Sequence, residues 1–265
     1  MPFDRVQRVI YRNNPLIQVE CQLRFPRILT INEKLPADFQ DRIRKSYPIY
    51  NVAIEHQQQF IVEPGRDLST KVIQNERMNC YSFQSDDRNW QISLACTYIS
   101  LTTSQYTRWE DFRSHLQAPL QALCDIYGPA FYDRIGLRYI NAFCRSSLNF
   151  DINTSWTDLI TPFALGFLSN SQIAVDVKGY SATSDVDLGN DAVARIVTST
   201  GFVGNAVFQQ NPELSFIVDS DLFYNSRKPL SELDSSLDYL NEYAGRIIRS
   251  IISEKLHQQM EPQEV

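Results

Sequence analysis

Glycine is scarce: the chain has 9 in 265 residues, about half the usual share of ~7%. Neither G-x-G-x-x-G nor G-x-x-x-x-G-K-[ST] occurs, so the backbone has no Gly-rich loop to wrap a phosphate. Doubly wound nucleotide folds lose their main signature. A basic surplus is also missing. Lys and Arg number 25 against 31 Asp and Glu, a net charge of -6. Such a field repels nucleic acid except at a local basic patch.

Cysteine occurs five times, at 21, 80, 96, 124 and 144. The odd count and the lack of C-x-x-C speak against a disulfide framework and a zinc ribbon. Cys21 and Cys96 fall on the apolar parity of strand-like runs and read as buried thiols. No apolar run approaches the ~18 residues of a membrane span. Arg5, Arg8 and Arg12 lie near the start with no apolar segment behind them, so no signal peptide is expected. The expected setting is cytoplasmic, without a membrane partner.

What is present is an ordinary globular content, 43% hydrophobic. A chain this long can bury about 75% of its unfolded surface and needs no staples. Residues 16–25 alternate, with Ile17, Val19, Cys21, Leu23 and Phe25 apolar and Gln18, Glu20, Gln22 and Arg24 polar. That period of two predicts a half-buried antiparallel strand. A helix is predicted over 36–47, with Phe39, Ile43 and Tyr47 on one stripe. Strands are predicted at 50–62, 73–84 and 89–102. A helix follows at 108–127, capped by Thr107 with Glu110, and Pro119 is expected to kink or split it. A strand at 131–144 closes the first half.

The second half predicts a helix near 154–168, strands near 171–187, 191–203 and 213–223, and a final helix over 230–257. Residues 109–127 and 230–248 share their apolar period. Aligned so that Trp109 meets Leu230, Phe112 meets Leu233 and Leu116 meets Leu237. The expected fold class is therefore α+β, with antiparallel twisted sheets packed on two long helices. Its two halves are expected to repeat a helix, three strands and a long helix. They are placed at 1–148 and 149–257 and share a core, and 258–265 is expected to be a frayed polar tail.

The block VECQLRFPRIL (19–29), followed by LPADFQDRIRKSYP (35–48), resembles a sporadically distributed prokaryotic family of unknown function. DRIGLRYIN (133–141) and the ending of a strand and a long helix are similar to that family too. The resemblance spans most of the chain and implies no catalytic residue. The patchy distribution of its members is similar to that of defence or mobile-element genes, which implies an accessory role.

Chemistry-bearing groups are few. His56, His115 and His257 show no zinc spacing, and no G-x-S-x-G marks a serine nucleophile. Asp219 and Asp221 share a strand face, as do Asp185 and Asp187. Either pair offers oxygen ligands to a divalent ion, although the solvated face of a sheet explains them equally well. Arg24, Arg134 and Arg138 lie on polar strand faces and form, if their strands are neighbours, a basic strip. Such a strip suits a small anionic ligand, while cross-strand pairing with acids is the structural alternative. The nearby aromatics Phe131, Tyr132, Tyr139 and Phe143 match no RNA-binding signature and read as core.

Three functions follow. The first is a non-enzymatic interaction or scaffold protein with a protein partner, its final helix offering the docking face. The second is a sensor of a small anion or nucleotide in a cleft between the halves, held by Arg24, Arg134 and Arg138. The third is a metal-dependent nuclease or hydrolase using Asp219 and Asp221. No cofactor is expected.

Overall fold

Every pairing in the large sheet is antiparallel, as the alternating strand patterns require. The computed structural model describes residues 2–61, 72–203 and 213–264, and for 56–61 and 72–76 it describes the backbone alone. In chain order the first elements are β1 (Val9–Tyr11), β2 (Leu16–Arg24), α1 (Leu29–Glu33), α2 (Ala37–Ile43), β3 (Ile49–Ile61) and β4 (Val72–Gln84). There follow β5 (Trp90–Ala95), β6 (Tyr98–Thr103), α3 (Trp109–Tyr127) and β7 (Arg134–Phe143). The second half holds α4 (Trp156–Leu159), α5 (Pro162–Leu165), α6 (Ser171–Ala174), β8 (Ser181–Gly189), β9 (Ala192–Gly201) and β10 (Ser215–Tyr224). It ends with α7 (Leu233–Ile251), α8 (Glu254–Gln259) and β11 (Pro262–Glu264). The architecture is mixed α and β.

Nine strands run in the order β3-β4-β5-β6-β2-β7-β10-β9-β8. β2 and β7 pair at the centre. From β2 the sheet extends through β6, β5, β4 and β3, and from β7 through β10, β9 and β8. Val19, Cys21, Leu23 and Phe25 are buried as the alternation predicts. Ile17 is not, being 38% exposed, because the register against β7 shifts between Leu16 and Gln18. A bulge of this kind turns a side chain to the other face.

The strand expected over 89–102 is a hairpin, β5 and β6, which turns at Cys96 and Thr97. The first half therefore has four strands after its short helices where three were expected. Buried residues in both arms, such as Ile92, Leu94, Ile99 and Leu101, hid the turn within one apolar run. In the second half the expected helix near 154–168 is broken by Pro162, which has no N–H to donate. Thr161 before it is extended, and Ile160 forms a bridge with Ile252. The first part of the strand expected from 171 is instead the helical turn α6.

α3 and α7 bury their stripes in one apolar cluster with the sheet, including Phe112, Leu116 and Leu123 from α3 and Leu237, Leu240 and Ile247 from α7. α3 runs unbroken through Pro119. Its start also differs from the predicted capping box. Arg108 is the cap residue, without a side-chain cap bond. Glu110 is taken by Arg8 at 2.6 and 2.9 Å and by Arg108 at 3.0 Å. The final helix stops at Ile251, where Ser253 begins α8 by accepting from the Leu256 N–H. The tail expected to fray is engaged as far as Glu264. Met260 is buried, and β11 pairs with β1. No helix among the described residues is long and apolar enough to cross a membrane.

Candidate functional site

The polar face of the central strands carries the residues singled out in the sequence. Glu20 of β2 lies opposite Arg138 of β7, Arg138 opposite Asp221 of β10, Asp221 opposite Arg195 of β9, and Arg195 opposite Asp185 of β8. The result is a row of alternating charge across five strands. Beside it, Glu20, Gln22, Arg24, Arg134, Gly136, Arg138 and Asp221 line a cavity of about 310 Å³. Arg24, Arg134 and Arg138 thus converge on one cavity.

They do not form a free basic strip. Arg138 grips Asp219 through Nε and Nη2 at 2.8 and 2.6 Å. Arg134 Nη2 donates to both Asp221 oxygens at 2.7 and 2.8 Å. The bonds run diagonally between neighbouring strands, within reach of long side chains. Arg134 lies back over Gly136, where an added Cβ would come within 2.2 Å of its Nη1, and its guanidinium stacks 4.8 Å from the Phe223 ring centre. Only a residue without a side chain permits that path. Cross-strand pairing therefore claims two of the three arginines. Arg24 is exposed and carries no side-chain ion pair among the described residues.

The same pairs correct the metal reading. Asp219 and Asp221 each accept from an arginine, which occupies the lone pairs a cation would need. Asp185 is likewise held by Arg195 at 2.8 and 2.7 Å, and Asp187 accepts from the Gly189 N–H at the β8–β9 turn. Among the described residues no group of three His, Cys, Asp or Glu side chains could hold a metal ion. Glu20 differs from these acids. Burial raises its pKa above its ordinary value and nearby Asp221 adds to the rise, while Arg138, Arg134 and Ser100 oppose it.

His115 and His257 are held in packing contacts. His115 stacks on Trp90 with ring centres 3.7 Å apart, and His257 Nδ1 lies 2.9 Å from the Tyr11 hydroxyl. The side chain of His56 lies outside the described residues. Tyr132, Tyr139 and Phe143 are buried. Tyr139 and Phe143 share the parity of Ile135 and Leu137, opposite that of Arg134 and Arg138, so they do not join these arginines, while the Phe131 ring centre lies 3.9 Å from the Arg227 guanidinium.

A second cavity, of about 230 Å³, lies on the helix side. It is walled by residues 6–16, the start of α3, β7 and α7. It is this space, and not the one around Arg24, that lies between α3 and α7. Sequence reasoning missed it, although one signal was available. Asn141 shares the parity of the buried Ile135, Leu137, Tyr139 and Phe143, an amide in an apolar row. Compared with protein-family models and with curated proteins, the chain matches none of either.

Proposed function

We propose that the protein is a non-enzymatic interaction protein that docks a partner through the helical run between β7 and β8. One observation carries this reading. Phe163, Phe167, Ile173 and Val175 are 67, 70, 44 and 76% exposed, all within a stretch of short helices. Large apolar side chains exposed together mark contact sites, and the same stretch carries the polar residues Asp158, Asn170, Asp176 and Lys178. The partner would present an apolar groove to receive the two phenylalanines.

This replaces the final helix as the docking face. α7 turns Leu237, Leu240 and Ile247 into the core, and Asp234 and Asp238 engage Arg113. The sheet order supports an internal duplication. In each half a central strand (β2 or β7) is flanked by the last strand of its hairpin series (β6 or β10), and a long helix follows. An accessory role of the kind the family resemblance implies is compatible with this reading. None of the five cysteines forms a disulfide, which fits a reducing, cytoplasmic setting. A second reading, capture of a small anion, rests on Arg24, which lines a cavity together with Glu20.

The test is a pulldown from native cells with the wild type and with the doubly substituted Phe163→Asp, Phe167→Asp protein. Exposed substitutions change stability little, so melting temperatures should agree. The wild type is expected to recover a partner that the variant loses. An equal recovery by both, or a wild type that is monomeric and recovers none, would overturn the reading.

A further inference from the structure

We propose that the cavity between residues 6–16, α3 and α7 binds a small planar heterocycle bearing an anionic group, the chemistry of a nucleoside monophosphate. Its walls are apolar and aromatic, among them Val9, Leu16, Tyr106, Trp109 and Ile248. Its volume of about 230 Å³ falls just under the ~300 Å³ at which typical small-molecule sites begin. Into this lining projects Asn141, 6% exposed, whose side-chain amide makes no hydrogen bond among the described residues. The amide opens onto the cavity and is not sealed from solvent as the Tyr243 hydroxyl is. It also offers a donor and an acceptor side by side, the pattern that pairs with the amide-like edge of a nucleobase.

Neighbouring groups fit the same ligand. Asn241 accepts the Tyr139 hydroxyl at 3.0 Å through Oδ1, which leaves its amide nitrogen as a second donor. Burial pushes Tyr106 up to about 12 and Tyr139 well above its ordinary value, so the floor stays uncharged at neutral pH. The lining carries Arg8, Arg108, Arg246 and Arg249 against one carboxylate, Glu242, on a chain of net charge -6. Arg8 and Arg108 share Glu110, and Arg249 meets Glu254. These pairs are largely solvated and weak, and a guanidinium has five donors, so each can add an anion. Gly245 lies in the middle of α7 on the cavity wall, and an added Cβ there would meet nothing within 4 Å. Helix packing does not require that glycine. It leaves the mouth open.

The test is thermal unfolding and titration calorimetry of the full chain with each ribonucleoside monophosphate, each matching nucleoside, and inorganic phosphate. At least one monophosphate is expected to raise Tm with concentration, as a ligand of the folded state must. The nucleoside should bind more weakly, and phosphate alone should do nothing. Asn141→Leu and Gly245→Phe are each expected to weaken binding at least tenfold. Gly245→Phe, at an exposed helix position, decides the matter if Asn141→Leu does not fold. No binding by any monophosphate, equal effects from phosphate alone, or unchanged affinity in Gly245→Phe would overturn the proposal.

Discussion

The Tyr47 hydroxyl donates to the main-chain carbonyl of His115 at 3.1 Å. In an uninterrupted helix that carbonyl would accept from the N–H of residue 119, but residue 119 is proline and has none. The same hydroxyl lies 3.1 Å from His115 Nδ1, so the ring can donate while the hydroxyl caps the carbonyl. A side chain just beyond α2 thus replaces the bond missing from α3, and the helix passes through Pro119 without a break.

Tyr47→Phe is expected to cost about 1–3 kcal/mol, the penalty for a buried acceptor left without a donor. In a Pro119→Ala background residue 119 regains its N–H, and Tyr47→Phe should cost clearly less. Urea denaturation of the four proteins of this double-mutant cycle checks it. Equal costs in both backgrounds would refute the compensation.

Gly136→Ala should expel the Arg134 guanidinium from its path over β7, since the new Cβ would fall 2.2 Å from Nη1. The Asp221 bonds and the Phe223 contact go with it. The pair is partly buried, at 17 and 30% side-chain exposure, so a loss of about 1–2 kcal/mol is expected after allowance for solvent screening. With Asp221→Asn already present, Gly136→Ala should cost less. Because arginines hold Asp219 and Asp221, a chelator should leave the melting temperature of the wild type unchanged. A chelator-induced drop would restore the metal reading.

Glu20 gives a pH dependence of opposite sign to that of a salt-bridged acid. Burial raises its pKa in the folded protein above the ordinary 4.5, so the folded state holds the proton more tightly than the unfolded chain. Its contribution is fully present below 4.5 and is lost as pH rises through the folded value. Glu20→Gln should remove this decline, giving a flatter stability profile from mildly acidic to neutral pH. Parallel profiles for wild type and variant would contradict it.

Much of the scaffold was legible because local pattern and burial agree. β2, α2 and the stripes of α3 and α7 follow from parity and period. Ile17 departs from its parity because a bulge is set by the partner strand. β5 and β6 merge into one apolar run because a tight turn between two buried arms leaves no polar mark. The candidate sites were harder to read. Arg24, Arg134 and Arg138 do share a cavity, but the sequence could not show that Asp219 and Asp221 lie one strand away and in diagonal reach. Cavity walls drawn from residues 6–16 and from α7 depend on contacts more than two hundred positions apart, which no local window contains.

The ribbon of β1 and β11 joins Val9–Tyr11 to Pro262–Glu264. Residues 6–16 are made well before the strand that anchors them, since β1 and β11 lie far apart in sequence. The sheet and both long helices can therefore assemble while this flap still lacks its anchor. The cavity beside α7 is complete only when this ribbon has closed, so a ligand bound there would report that β1 and β11 have paired.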